Sequence, residues 1–268
     1  MGSEVAITGY FDSSEGESGR ITLAGYLASP DTWAAFDRTW DEVPRIFSPP
    51  SQYLHMVDAM ALRNEFARAN GWSGILVDAL LRQLLHRCFL PFALDVPDGP
   101  SLLKLYCTIE RDEWLRACAG APNLKNYGRA GVCARFIAGV AVHRLPQAEG
   151  EPEGFRSGYL ELVFDQGEPF KRQVELACQR AARCAPGQRG PLSLVSVIRE
   201  ANMRQTPGLQ AADYLAWLVN RWQESQSQVS WWLSFKSSPG LAFELTAEFL
   251  IEWQSSALDI RTVRLPSR

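Results

Sequence analysis

Val5-Ala6-Ile7-Thr8-Gly9-Tyr10-Phe11-Asp12 alternates, with Val5, Ile7 and Phe11 on one side and Thr8, Tyr10 and Asp12 on the other. A two-residue period of this kind is the pattern of a strand with one apolar face. Ser13 to Gly19 is polar and glycine-bearing and reads as a turn. Arg20 to Ser29, rich in Thr, Leu and Tyr, reads as a second strand, so the chain opens with a β-hairpin. Pro30-Asp31-Thr32 then starts a helix with Trp33, Phe36, Trp40 and Val43 on one face, and Pro44, Pro49 and Pro50 end it.

Outward from the hairpin, a loop carries His55-Met56-Val57-Asp58. Ile75 to Leu94 is an amphipathic helix with Leu76, Leu80, Leu84 and Cys88 in one row and Leu81 and Leu85 beside them. Leu102 to Ile109 reads as a strand, and Arg111 to Ala119 and Gly131 to Arg144 as helices. After a surface loop at Pro146 to Gly158 come strand Tyr159 to Phe164, helix Pro169 to Cys184, strand Leu192 to Val197, helix Gly208 to Gln223 and helix Leu241 to Trp253. A hairpin followed by alternating helices and strands predicts an α/β fold with a mixed sheet. The half after the loop has only two strands and needs the N-terminal ones to complete a sheet. One domain over residues 1–268 is therefore expected, with helical insertions at about 60–95 and 110–145 and a helical extension at about 228–256.

Composition narrows the function classes. Among 268 residues, 27 Lys and Arg face 30 Asp and Glu, a net charge of −3, which argues against a polybasic nucleic-acid coat but leaves room for a local basic groove. At 46% hydrophobic and 21% charged, the chain is globular rather than disordered. Asp78, Arg82, Gln83, His86 and Arg87 interrupt the longest apolar-rich stretch, so no membrane association is expected, and Met1 to Tyr10 lacks the pattern of a signal peptide. Six cysteines without a CxxC pair fit neither a zinc site nor a disulfide framework and point to a reducing, cytoplasmic setting.

Three aspartates carry the chemistry that the pattern suggests. Asp12 and Asp165 end predicted strands, and Asp213 lies in the first turns of the helix that begins Pro207-Gly208-Leu209. Converging hard oxygen ligands of this type suit Mg²⁺ or Mn²⁺. A pair of such ions about 3.5–4 Å apart can activate water and stabilise a leaving oxygen in phosphodiester cleavage. Ala211, Ala212 and Ala216 allow the Asp213 helix to approach a sheet closely. Gln210, Asp213 and Trp217 share a stripe, which puts Gln210 in place to position Asp213 or a substrate oxygen. Simpler roles exist for the same residues: Asp165-Gln166-Gly167 also fits a turn, and Asp213 also complements a helix dipole.

These segments resemble a bacterial family catalogued as domain of unknown function 3800. Tyr10-Phe11-Asp12-Ser13-Ser14 is similar to its opening Tyr-Phe-Asp-Glu-Ser-Gly motif. Ala24 to Ser29 with Trp33, Phe36 and Trp40 is similar to its second strand and first helix, and His55-Met56-Val57-Asp58 to its His-Met-x-Asp segment. Val163-Phe164-Asp165-Gln166-Gly167-Glu168 and Leu209-Gln210-Ala211-Ala212-Asp213-Tyr214-Leu215-Ala216 resemble its two C-terminal motifs, so the likeness runs from residue 5 to about 222. The resemblance implies an RNase H-like mixed five-stranded sheet with helices on both sides. It also implies a two-metal carboxylate site at Asp12, Asp165 and Asp213, with Gln210 beside them. The chain departs at the opening motif, where Ser13 stands in place of Glu and Glu15 in place of Gly. Glu15 is the expected substitute ligand if the backbone folds back.

His55 and Asp58 are placed to orient a water or contact a phosphate, or else to pack beside Phe47 and Met56, whereas His86 and His143 read as structural. Lys171, Arg172, Arg180, Arg183, Arg199, Arg204 and Arg221 would form either a phosphate groove or solvated faces, and Trp231, Trp232 and Trp253 pack in the core or against a partner. The expected function is a metal-dependent phosphodiesterase acting on nucleic acid. Asp12, Asp165 and Asp213 would hold Mg²⁺ or Mn²⁺, with Glu15, Gln210 and His55 assisting. The alternative is a catalytically inactive RNase H-like subunit of a bacterial complex, such as one defending against mobile DNA, with a protein partner. A third reading, glycoside hydrolysis by an Asp pair, needs a raised-pKa acid and a sugar cleft that the sequence does not identify.

Overall fold

The computed structural model describes residues 5–93, 101–143, 159–184, 191–225 and 240–255. In chain order they form β1 (Val5–Glu15), β2 (Ile21–Ala28), α1 (Pro30–Ile46), α2 (Met56–Met60), α3 (Gly74–Leu84), α4 (Leu90–Ala93), β3 (Leu103–Ile109), α5 (Arg111–Gly120), α6 (Gly128–Val142), β4 (Tyr159–Asp165), α7 (Lys171–Arg183), β5 (Val195–Ala201), α8 (Pro207–Ser225), β6 (Gly240–Glu244) and α9 (Ala247–Ser255). The fold is α/β, a mixed six-stranded sheet of order β5-β4-β1-β2-β3-β6 flanked by helices. β2 pairs antiparallel with β1 and β3. β1 with β4, β4 with β5, and β3 with β6 pair parallel. Strands from both sides of the Pro146–Gly158 loop, which lies outside the described residues, therefore share one sheet.

Strand alternation sorts the core into two layers. Phe11, Leu23, Leu105 and Leu160 face α5, α6, α7 and α9, where Phe136, Val174 and Trp253 are buried. Ala24 and Tyr26, with Tyr10 packed alongside, face α1, α3 and α8, where Phe36, Trp40, Leu80 and Leu215 are buried. Helix α1 starts at Pro30, with the Ser29 hydroxyl accepting from Thr32 N–H at 3.2 Å. Helix α8 sits directly on β1 and β2. Ala211, Ala212 and Ala216 are fully buried beneath it, and a Cβ on Gly208 would lie 2.5 Å from the Tyr10 ring. At its far end Asn220 accepts from Thr22 Oγ1 at 2.6 Å and donates to Ser14 O at 3.1 Å.

Several boundaries differ from the sequence reading for identifiable reasons. β1 runs three residues past Asp12, because Ser13, Ser14 and Glu15 pair with Leu23, Thr22 and Ile21, and the turn tightens around Gly16 and Gly19. α1 continues through Pro44, which lacks an N–H but leaves the later Phe47 N–H to Val43 O bond intact at 3.2 Å. β5 begins three residues late, since Pro191–Leu194 form a 3₁₀ turn instead. The expected last helix splits into β6 and α9: Leu241 and Phe243 pair with Leu105 and Cys107, so the extension at about 228–256 is not wholly helical. A short apolar run of this kind has no period long enough to choose between helix and strand. Trp231 and Trp232 lie outside the described residues, and Trp253 is core. No helix among the described residues is long and apolar enough to cross a membrane.

The close seat of α8 is testable. Gly208→Ala drives its methyl into the Tyr10 ring, itself held edge-on by Trp33 at 4.7 Å, and is expected to lower stability by about 1–3 kcal/mol in denaturant titration. Gly74→Ala, at the start of α3 with nothing within 4 Å of the added carbon, is expected to raise stability by up to about 1 kcal/mol.

Candidate active site

β1 and β4 run parallel, and their last register pair is Phe11 with Phe164. Asp12 and Asp165 are therefore the next residues on both strands, Asp165 at the carboxyl end of β4, where ligands bind in open α/β sheets, and Asp12 three residues before the end of β1. Asp12 lies on the α8 side and is 5% exposed; Asp213 descends from α8 and is also 5% exposed. Beyond β4, Gly167 takes a φ of +91° and turns the chain so that Glu168 reaches Ser13, whose hydroxyl donates to Glu168 Oε1 at 2.9 Å.

The four carboxyl groups act on one another. Burial drives the Asp12 pKa well above the ordinary carboxylate value, and the charges of Asp213, Glu168 and Asp165 drive it further; a hydrogen bond from the Ser13 backbone offsets only part. Burial also raises Glu168, with Asp165 adding to the effect, whereas hydrogen bonds from Ser13 and Asp12 pull it back. Asp12 and Glu168 are thus linked by a hydrogen bond, and burial raises both above the ordinary carboxylate value. Asp213 is raised to about 6 by burial. The Met56 N–H at 2.7 Å and the charge of His55 counter this, and Asp165 and Asp58 reinforce it. Among the described residues no cation forms an ion pair with any of the four. Nor do three His, Cys, Asp or Glu side chains among them already stand as a set that could hold a metal ion.

Gln210 ties the surroundings together. Its Oε1 accepts from Trp40 Nε1 at 2.9 Å and from Leu54 N–H at 2.8 Å, and its Nε2 donates to Met203 O at 3.0 Å. The Met203 N–H in turn donates to Asp165 Oδ1 at 3.0 Å. Gln210 therefore makes no direct contact with Asp213 in this network. The two hold alternate residues of one strap, Leu54 and Met56, against α8.

His55 precedes α2, so the expected loop at His55 to Asp58 is the start of a short helix. His55 Nδ1 lies 3.1 Å from Asp58 Oδ2, and Tyr53 Oη donates to the same oxygen at 3.4 Å. Burial pushes the Asp58 carboxyl up, but hydrogen bonds from Asn64, His55 and Tyr53 and the charge of His55 outweigh it and leave the group below its usual value. His55 is one-third exposed, with its ring anchored through Nδ1.

Glu15 does not join the cluster. Regular pairing to the end of β1 puts it on the opposite face from Asp12, where it is exposed and ion-paired with Arg129 at 2.7 Å. Glu168 is the member missed from the sequence. It stood within a quoted motif, three residues after Asp165 across a glycine, which was the available signal. The cations do not gather into one groove: Lys171 pairs with Glu175 and Glu200, and Arg199 pairs with Glu161. Arg204 lies over the Tyr53 ring at 5.0 Å, while Arg172, Arg180, Arg183 and Arg221 are exposed on α7 and α8. The six cysteines are free thiols. Comparison with family models, curated proteins and solved structures gave no match.

The raised pKa of Asp213 means that the folded state holds its proton more tightly than the unfolded chain does. Its contribution to stability is complete below the ordinary value of 3.8 and is lost as pH rises through about 6. Asp213→Asn keeps an acceptor for Met56 N–H and carries no charge. It is expected to match the wild type near pH 4 and to exceed it by about 1 kcal/mol or more at pH 7.5, measured by urea unfolding at both values. A variant less stable at pH 7.5 would instead identify a cation partner for Asp213.

Proposed function

We propose that this chain is a divalent-metal-dependent phosphodiesterase acting on nucleic acid, built on an RNase H-like sheet. The observation that carries the reading is the carboxyl cluster from β1, the turn after β4, and α8, in which Asp12 and Asp213 are buried and Asp12, Glu168 and Asp213 are raised above the ordinary carboxylate value. A mixed sheet with helices on both faces and acidic groups at strand ends agrees with the family resemblance, β6 being a strand beyond the implied five.

The donor chemistry fits Mg²⁺ or Mn²⁺: all four groups are hard oxygen ligands, and a dication in place of the proton between Asp12 and Glu168 relieves their repulsion. Asp12, Glu168, Asp165 and Asp213 would hold it, and since no three-ligand set stands ready, binding would part the Asp12–Glu168 pair. A bound dication supplies a water of lowered pKa and neutralises charge at the leaving oxygen. In this reading Glu168, anchored by Ser13, provides the carboxylate that the opening motif lacks. Gln210 fixes the strap that presents Met56 N–H to Asp213, and the Asp58-anchored imidazole of His55 moves a proton to or from the reacting phosphate. Arg204 is an exposed cation next to Met203, close to where a strand would lie.

A second reading, a non-catalytic interaction subunit, draws on two observations. Asp165 and Asp213 each spend an oxygen on a backbone N–H, and Ser13 replaces the motif glutamate.

A panel of single- and double-stranded DNA, RNA and hybrid substrates separates the two. Wild type is expected to cleave at least one with Mn²⁺ or Mg²⁺, faster at pH 8 than at pH 6, because the ion competes with the Asp12 proton. Asp12→Asn and Glu168→Gln are expected to lose more than about 100-fold, beyond the 10–100-fold typical of outer partners of a metal site. Glu15→Gln should change little. The melting temperature of wild type, but not of Asp12→Asn, should rise with the ion. Inactivity throughout, with no metal-dependent rise, favours the interaction subunit.

A further inference from the structure

Away from the carboxyl cluster, a cavity of about 510 Å³ opens between the end of α1 and the helical turn that links α3 to α4. Its volume falls in the range of small-molecule sites, about 300–1,000 Å³. None of the four clustered carboxylates lines it. One wall is apolar: Ile46 is 58% exposed, and the Phe47 ring is backed by Trp72 at 5.6 Å and an interplanar angle of 10°. The facing wall carries Arg82, His86 and Arg87, all exposed, with Ser48 at the rim.

The helix is built unusually at this wall. Leu85 to Phe89 form a π turn in which Leu90 N–H donates to Leu85 O. Such turns are rare and occur frequently at functional sites. Arg82 and His86 are four residues apart and share a helix face, a like-charge arrangement that is unfavourable when His86 is protonated unless an anion occupies it. The carboxylates nearby leave donors over. Asp78 takes the Arg82 Nε at 2.9 Å, so both terminal nitrogens are unspent in that bond. Among the described residues Arg87 has no ion pair within 4 Å. A guanidinium with free donors beside a flat apolar wall matches a ligand with an anionic end and a planar body.

We propose that this cavity binds a nucleoside phosphate, its base against Phe47 and Ile46 and its phosphate among Arg82, His86 and Arg87. The proposal goes beyond the carboxyl-cluster reading and does not depend on it. The phosphate can come from a free mononucleotide or from the 5′ end of a strand.

Calorimetry on the full chain tests it with adenosine 5′-monophosphate, adenosine, inorganic phosphate, and a short oligonucleotide with and without a 5′-phosphate. Saturable binding of the mononucleotide is expected, weaker for adenosine and for phosphate alone. The Arg82→Gln, Arg87→Gln double variant should lose at least about tenfold with its melting temperature unchanged, consistent with the charge-assisted contacts removed. Phe47→Leu should weaken the nucleotide more than inorganic phosphate, and Asp12→Asn should bind as wild type. Competition by the 5′-phosphorylated oligonucleotide alone assigns the strand end, and its absence assigns the free mononucleotide; either supports the site. No saturable binding, equal binding by the double arginine variant, or loss in Asp12→Asn instead would overturn it.

Discussion

One amide side chain holds the acidic end of this sheet together. Gln210 uses its carbonyl twice and its NH₂ once, on Trp40 from α1, Leu54 from the strap before α2, and Met203 from the turn after β5. All three partners are buried, and a buried polar group left without a partner costs about 1–3 kcal/mol. The bonds tie all three elements to α8. Two of those elements go on to position acids: Met203 through its N–H to Asp165, and the strap through Met56 N–H to Asp213. Because Gln210 and Asp213 share one face of α8, the seat of α8 on Tyr10 sets both at once.

That scaffold holds an arrangement that is unfavourable by itself. Asp12, Asp213 and Glu168 are all raised, with burial the largest cause in each case. A fold selected only for stability would replace such groups with apolar ones of similar shape, since buried acids without cations cost more than packing returns. Asp58 lies nearby and is also little exposed, but it sits less deeply among protein atoms and has three hydrogen-bond donors, which together take it below its usual value. The contrast shows that the region can satisfy a carboxylate where it is built to do so. The retained strain at Asp12 and Glu168 is what gives the functional reading its weight.

Much of the scaffold was legible in the sequence because it rests on local period and small residues. The faces of β1, the start of α1 at Pro30, and the alanine-lined approach of α8 all follow from side-chain spacing over a few residues. β6 was not legible, because five residues of mixed polarity gain their strand conformation from pairing with β3, a partner more than a hundred positions away. Among the acids, Asp12, Asp165 and Asp213 could be named from position. Glu168 acquires its role only when separate segments meet. Gln210 was expected to position Asp213 or a substrate oxygen; its amide bonds Trp40, Leu54 and Met203 instead, and nothing local to its sequence points to Trp40 or Leu54.

The fate of the opening motif turns on how far strand pairing extends. β1 pairs with β2 as far as Glu15 but with β4 only as far as Phe11. From Asp12 onward one edge of β1 is therefore open, and alternation still sends Asp12 and Ser13 to opposite faces. Glu168 arrives at that open edge from the turn after β4, where it forms hydrogen bonds with Ser13 and with Asp12. A side chain beside the strand can reach both faces, whereas one on the strand, such as Glu15, is confined to its own. The Ser13 hydroxyl on β1 thus anchors a carboxylate that comes from the turn after β4, and the acid beside Asp12 is delivered from a different strand.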